Sequence, residues 1–307
     1  MKVQVLMSTY NGDKYLSKQV ESIFNQDNVD TYLLIRDDGS SDQTISIIKN
    51  LQKEYPGKIK FFRGNNLGYK KSFMKLLKTV DLNKYDYFAF ADQDDYWKSN
   101  KLNIAINNLN KVSNRYKLYA STVLITDSKL NVLYKKKIEN FKAGFASLLT
   151  RVRLAGCTMV FNRELAKIGR KFNFKDTSNQ TMPSHDEFMM LLCYAINGFV
   201  YVDKNAYIYH RRLDNSVTSG GNGLKKRLVH EKDILFNHNG NVQYIAVMLI
   251  KTIPNMLSSD NLKYLYEILE YKKNIKNTLK LAFSSQVNCG IPLGNLETRI
   301  RILMRLW

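Results

Sequence analysis

The chain is predicted to be an α/β protein, with a mainly parallel sheet sandwiched by helices over residues 1–220 and a helical C-terminal region over residues 221–307. Three observations predict this. Short apolar runs alternate with segments whose apolar residues recur every three to four positions, as parallel strands and covering helices do. Polar turn-forming clusters follow directly on the apolar runs, at the carboxyl ends of strands, where ligands of such sheets bind. Beyond Gly220-Gly221-Asn222-Gly223, the obvious linker, Leu224 to Trp307 reads as helix throughout, broken at Pro254 and Pro292.

Each element has its own signal. Val3 to Ser8 is a short buried strand, Tyr10-Asn11-Gly12-Asp13 a turn, and Leu16, Val20, Ile23 and Phe24 one face of a helix. The cycle repeats with the strand Tyr32 to Ile35, the turn Asp37 to Asp42 and a helix carrying Ile45, Ile48 and Leu51. A third strand, Ile59 to Phe62, leads through Gly64-Asn65-Asn66-Leu67-Gly68 into a helix with Phe73, Leu76, Leu77 and Val80 inward. A fourth, Tyr85 to Ala91, ends in Asp92-Gln93-Asp94-Asp95 before a helix with Leu102, Ile106, Leu109 and Val112. The pattern then loosens: strands are expected at Leu118 to Thr126 and Leu154 to Phe161 with a basic, less regular segment between them. An apolar helix follows at Phe188 to Ile196, then two short strands at Phe199 to Val202 and Ala206 to Tyr209.

Composition narrows the function. A chain of 307 residues with 44% hydrophobic content can bury a full core. The net charge of +20 implies a polyanionic partner, whether nucleic acid, an anionic membrane or phosphorylated small molecules. It is shared, +13 in residues 1–220 and +7 in the shorter remainder. Cys157, Cys193 and Cys289 are far apart and odd in number, indicating neither a disulfide framework nor a zinc site, and a reducing compartment fits them best. The N-terminus runs straight into a strand pattern, and no window holds about 18 uninterrupted apolar residues, so neither a secretory signal nor a membrane span is expected.

Asp92, Asp94 and Asp95 place three carboxylates within four residues. Left bare they repel one another, whereas a hard divalent cation accepts their oxygens and can hold a diphosphate at the same time. The competing reading is a solvated acidic turn that caps the next helix. Ser8 to Gly12, Asp37 to Asp42 and Asp92 to Asp95 all follow strands, so three turns distant in sequence can line one crevice.

Taken in order, Ser8-Thr9-Tyr10-Asn11-Gly12, Asp37-Asp38-Gly39-Ser40-Ser41-Asp42, Asn65-Asn66-Leu67-Gly68, Asp92-Gln93-Asp94-Asp95 and His185-Asp186 resemble the family 2 glycosyltransferases of GT-A fold. The resemblance spans roughly residues 1–220 and is closest to the bacterial branch that includes rhamnosyltransferases of surface polysaccharide assembly. It implies a metal-dependent inverting transfer of a sugar from a nucleoside diphosphate donor, dTDP-rhamnose or a UDP-sugar. The implied acceptor is a hydroxyl of a growing, lipid-linked cell-surface polysaccharide, and the implied location is cytoplasmic, peripheral to the inner face of the cell membrane. By the same resemblance Asp94 binds Mn²⁺ or Mg²⁺, and Asp92 supports the metal or orients the ribose, with Asp95 behind them. Asp38 reads the base, Thr9 and Asn11 stand near the nucleoside, and Asp186 takes the proton from the acceptor hydroxyl.

Other residues have readings in helix chemistry. Ser41 and Asp42 suit a helix start, and Ser184-x-x-Glu187 is a capping box, which assigns Glu187 to capping and Asp186 to catalysis. One departure stands out. Relatives carry a histidine in a segment resembling Tyr-Arg-x-His-x-x-Asn; here Leu213 holds that position and His210 lies three residues earlier. Either fewer side chains hold the metal, or Arg211 or Arg212 neutralises phosphate, the alternative for both arginines being a solvated basic loop.

In the C-terminal region Leu296, Ile300, Leu303 and Trp307 fall on one helical face with Arg301 and Arg305 opposite, and Lys225-Lys226-Arg227 adds a basic cluster. That face suits an anionic membrane surface, and equally packing against the catalytic domain or a second copy of the chain. Two rival functions rank lower. A sugar nucleotidyltransferase needs a glycine-rich, arginine-containing loop where Ser8 to Gly12 stands, and a non-enzymatic nucleic-acid or membrane module lacks any recognised nucleic-acid platform, so no nucleic-acid partner is expected.

Overall fold

The computed structural model describes residues 1–138, 142–151, 154–174, 182–212 and 241–307. The chain forms two compact units, the first comprising Met1–Lys137, Leu154–Lys175 and Gly198–Leu213, the second Ile138–Arg153, Asp176–Asn197 and Asp214–Trp307.

The first unit is built on β1 (Lys2–Thr9), β2 (Asp30–Asp37), β3 (Ile59–Arg63), β4 (Tyr87–Ala91), β5 (Tyr96–Trp97), β6 (Lys117–Thr126), β7 (Val132–Lys135), β8 (Val160–Asn162) and β9 (Phe199–Arg211). Their order in the sheet is β3-β2-β1-β4-β8-β6-β9-β5, with β7 paired to β6. β3, β2, β1 and β4 are mutually parallel, and β6 and β9 are parallel to each other, whereas β8, β5 and β7 run antiparallel to their neighbours. Helices α1 (Leu16–Phe24), α2 (Thr44–Glu54), α3 (Tyr69–Thr79), α4 (Lys101–Asn110) and α6 (Arg163–Gly169) belong to this unit.

Alternation along β1 divides the core between two faces. Val3, Val5 and Met7 share one cluster with Leu16 and Val20 of α1, Ile48 of α2, and Leu102 and Ile106 of α4. On the other face Phe90 of β4 meets Phe73 of α3 edge-on at 5.6 Å and Phe161 of β8 at 5.0 Å. This is the helix-covered, mainly parallel sheet that the alternation predicts.

Differences appear where strands are short or irregular. The run Leu154 to Phe161 is a 3₁₀ turn at Gly156–Thr158 followed by only three strand residues, because β8 is a short bridge between β4 and β6. The two short strands expected after residue 199 are one strand, β9. It bends past an irregularity opposite Ser121 and Thr122, where Asp203 accepts bonds from the Asn205 amide and the Tyr119 hydroxyl. β5 and β7 carry no local signal, being two and four residues long.

The second unit holds α5 (Phe145–Thr150), α7 (His185–Ala195), α8 (Asn241–Thr252), α9 (Ser259–Glu270), α10 (Ile275–Ala282) and α11 (Pro292–Leu303). α7 has consecutive buried residues from Phe188 to Cys193, as a helix covered on every side must. Pro254 opens a 3₁₀ turn and Pro292 the first turn of α11, where the missing N–H costs nothing. Asn261 of α9 donates to the Tyr194 and Ala195 carbonyls at the end of α7, and Arg151 pairs with Glu297 at 3.3 Å.

The face expected on the last helix keeps Leu296, Ile300 and Leu303 together and loses Trp307. Trp307 is buried, its carbonyl accepting from the Tyr271 hydroxyl at 2.7 Å, and Arg301 also points inward, whereas Leu296, Ile300 and Leu303 are exposed. The tail turns back at Arg305, whose φ is +60°, so Trp307 leaves the helical register that would align it with Leu296. Leu213, the Gly220 to Gly223 linker and Lys225-Lys226-Arg227 lie outside the described residues.

Candidate active site

The polar clusters after β1 and β2 form a lattice that their sequences explain. Asp37 is buried and accepts bonds from the Thr9 hydroxyl at 3.0 Å, the Gly39 and Ser40 amides, and the Ser40 hydroxyl. Asn11, in the left-handed region at φ +47°, donates its amide to Ser40 Oγ and accepts the Ser41 amide on its side-chain carbonyl, both at 2.9 Å. Asp42 accepts from the Thr44 amide and hydroxyl at the start of α2, the helix-start role its position suggests. Thr9 and Asn11 are thus brought together with the Asp37 turn, but the Thr9 hydroxyl and the Asn11 carbonyl are engaged within the loops.

Asp38 is also committed internally. Its carboxylate pairs with the Arg36 guanidinium and accepts the Leu67 and Gly68 amides at 2.9 and 2.8 Å. Arg36 is itself buried, donating to Ser72 Oγ at 2.7 Å and the Asn65 carbonyl at 2.9 Å. Asn65 to Gly68 is therefore a loop wrapped around a buried ion pair. This gives Asp38 a bracing task beside the base contact expected of it.

The acidic loop after β4 is fastened to the β1 loop by Gln93. Its side-chain carbonyl accepts the Tyr10 amide at 2.9 Å and its side-chain amide donates to the Tyr10 carbonyl at 3.0 Å. Gly12 lies so close that a Cβ there would stand 2.2 Å from Gln93 Oε1. Two strand-end turns are thereby locked side by side.

The donor atoms of Asp92, Asp95, Cys157 and His210 lie within 4.8 Å of one another. Asp95 is fully buried, and its Oδ1 is 2.8 Å from His210 Nδ1. Its Oδ2 is buried with no hydrogen-bond partner among the described residues. The Asp95 charge raises the His210 pKa to about 9 against the opposing effect of burial. Burial, reinforced by the Asp95 charge, pushes the Cys157 thiol well above its ordinary value, so it stays protonated and is a poor metal donor. Burial and the Asp95 charge together raise Asp94 to about 6.

Two of the expected residues have a different setting in the structure. The donor group contains Asp92 but has Asp95 and His210 in the place given to Asp94, because the backbone turns after Asp92 and sends the Asp95 side chain inward. Arg211, expected at the diphosphate, is instead 2% exposed and bound to the loop's backbone. Its guanidinium donates to the Asp94, Asp95 and Ser128 carbonyls and lies over the Tyr15 ring at 4.6 Å. These bonds shape the acidic loop. Arg212 reaches the Tyr134 hydroxyl at 3.4 Å.

His210 is the residue that sequence reasoning passed over. β5 pairs with β9 through Tyr96 opposite Tyr209, so the residues flanking that pair, Asp95 and His210, meet. Nothing local marks that pairing, since β5 is only two residues long.

Asp186 belongs to the second unit, in the first turn of α7, where its Oδ1 accepts the Glu187 amide at 3.0 Å. The capping box expected there does not form, since the Ser184 side chain makes no cap bond and the Asp186 carboxylate takes an amide itself. His185 is buried, and burial lowers its pKa to about 4, so it is a neutral imidazole beside Asp186.

A helix-covered, mainly parallel sheet with an acidic and imidazole donor cluster at its strand ends is an arrangement suited to an anionic ligand held with a cation. The family model described as Glycosyl transferase family 2 matches residues 4–169, and the chain belongs to that family. It is 31% identical over 227 residues to the dTDP-rhamnosyl transferase RfbG of Shigella flexneri, a match covering 72% of this chain and 76% of the relative. It is 33% identical over 110 residues to the GalNAc(5)-diNAcBac-PP-undecaprenol β-1,3-glucosyltransferase of Campylobacter jejuni, covering 36% of this chain and 35% of that one. Among solved structures, S. aureus TarS 1–349 in complex with UDP-GlcNAc superposes with a TM-score of 0.59 at 18% identity, covering 99% of this chain and 82% of TarS. The protein is a glycosyltransferase of GT-A fold.

Proposed function

We propose that this enzyme transfers a sugar from a nucleoside diphosphate donor to a hydroxyl of a growing, lipid-linked surface glycan, with inversion at the anomeric carbon and with a divalent cation bound. The observation that carries the reading is the convergence of Asp92, Asp95 and His210 at the end of β4. Two carboxylates, one with a buried oxygen lacking a hydrogen-bond partner among the described residues, form an oxygen donor set suited to Mn²⁺ or Mg²⁺, and His210 could join them only by giving up its proton as the cation binds. Such a cation neutralises charge that develops on the departing diphosphate. Asp95 fixes the orientation of the His210 ring, as carboxylates behind metal-ligating histidines do. Arg211 and Gln93 hold the backbone of the loop that presents these groups.

In this reading Asp186 accepts the proton of the attacking hydroxyl, with the neutral His185 beside it. RfbG makes dTDP-rhamnose the first donor to test, with UDP-sugars next, and the undecaprenol-linked relative motivates a polyprenyl diphosphate acceptor. The experiment is a thermal-shift screen of dTDP-rhamnose and UDP-sugars with and without Mn²⁺, followed by transfer assays on Asp92→Ala and Asp186→Asn. A donor should raise Tm only with the cation present, since binding to the folded state stabilises it. Asp186→Asn should bind donor and fail to transfer. Undiminished transfer by either variant overturns the assignment of that residue.

A further inference from the structure

The last two helices turn their apolar residues outward. On α11 the inward residues are Gly294, Thr298, Arg301 and Ile302, while Leu293, Leu296, Ile300, Leu303 and Met304 are each at least 39% exposed. At 3.6 residues per turn these five occupy a single arc of about 100°. α10 repeats the arrangement: Thr278, Leu281 and Ala282 are buried, whereas Ile275, Leu279 and the following Phe283 are exposed at 63%, 42% and 67%. The two helices pack against each other, so one helical pair displays all eight large apolar side chains. An amphipathic helix of a water-soluble surface normally does the opposite, and exposed apolar area on this scale marks an interaction site.

Charge identifies what that surface meets. Residues 271–307 contain seven Lys and Arg and one acidic side chain, Glu297, which is paired with Arg151 at 3.3 Å. Lys273, Lys276, Lys280 and Arg305 are exposed, and Lys272 and Arg299 are half-buried. Lys273 and Lys280 make surface pairs with Glu270 and Glu267 of α9, which solvent screens. We propose that the α10–α11 pair is a docking surface for an anionic lipid bilayer, its apolar side chains entering the headgroup boundary and its cations meeting lipid phosphates. A second copy of the chain fits less well, because a two-fold interface would bring together two identical surfaces in which Lys and Arg outnumber acidic side chains. Among the described residues no helix is long and apolar enough to cross a membrane, and surface docking requires none.

The test is co-sedimentation of the full chain with phosphatidylglycerol-containing vesicles and with pure phosphatidylcholine vesicles, at low and high salt. Binding should require the anionic lipid and weaken with salt. It should fall at least about tenfold in Leu296→Glu/Ile300→Glu, since each side chain removes apolar area from the docked face. Both positions are exposed, so the variant should keep the parent's circular dichroism spectrum and Tm. Three results overturn the proposal: no binding of the folded parent to anionic vesicles, equal binding by the variant, or a parent dimer that the same substitutions dissociate while vesicle binding is absent. No sugar donor enters the assay, so its failure leaves the transfer chemistry standing, and failed transfer leaves this surface standing.

Discussion

Replacing Asp38 by alanine separates a brace from a base contact. The side chains of Arg36 and Asp38 are 1% and 4% exposed, so solvent does not screen their pairing. Alanine removes the carboxylate and leaves a buried guanidinium with only the Ser72 hydroxyl and the Asn65 carbonyl. It also strips the Leu67 and Gly68 amides of their shared acceptor. Removing one partner of a buried ion pair costs about 3–5 kcal/mol. At roughly 2–4 °C per kcal/mol for a domain of this size, Tm should drop by about 6–20 °C. Asp38→Asn keeps one acceptor oxygen and should drop less. Scanning calorimetry reads the stability, and titration with a nucleoside diphosphate at a temperature where the variant is folded reads the binding. A Tm within about 2 °C of the parent, together with a large loss of nucleotide affinity, would refute the brace and return Asp38 to the base.

Three further outcomes follow from other buried groups. Lys101 is 1% exposed, with Nζ 3.5 Å from the Trp97 ring centre and no hydrogen-bond partner among the described residues, and burial pulls its pKa down to about 7. The folded chain therefore binds fewer protons than the unfolded chain between about 7 and 10.5, and stability rises with pH across that window. Lys101→Met should gain about 1–3 kcal/mol at pH 6 in urea titrations, with less gain at pH 9; a loss at pH 6 would contradict this. Gly12→Ala should cost about 1–3 kcal/mol by forcing Gln93 off Tyr10, and should be nearly neutral in a Gln93→Ala background, so strictly additive losses would count against the clamp. Asp95→Asn should weaken Mn²⁺ binding about 10–100-fold by calorimetry, and unchanged affinity would locate the cation elsewhere.

Local periodicity determined the fold's first half. Val3 to Ser8, Tyr32 to Ile35, Ile59 to Phe62 and Tyr85 to Ala91 alternate with helices whose inner faces repeat every three to four residues, and each prediction rests on neighbours in sequence. The order of turn motifs likewise revealed the family and the strand ends that matter. The sequence could not reveal which of the three aspartates among residues 92–95 turns inward. That choice depends on β5 pairing with β9 across more than a hundred residues, which sets His210 against Asp95 and leaves Asp94 aside. Arg211 and Asp38 read as ligand contacts because a charged residue in a motif carries no mark of burial; only packing shows the first gripping a backbone and the second an arginine.

The last helix makes the same division. Its sequence by itself determined an amphipathic stripe of Leu296, Ile300 and Leu303, since a 3.6-residue period is a property of the chain. Only the tertiary structure decided that the stripe faces outward, with Arg301 and Trp307 inside. Which face is buried depends on the partners that α10 and Tyr271 provide, and periodicity is blind to them.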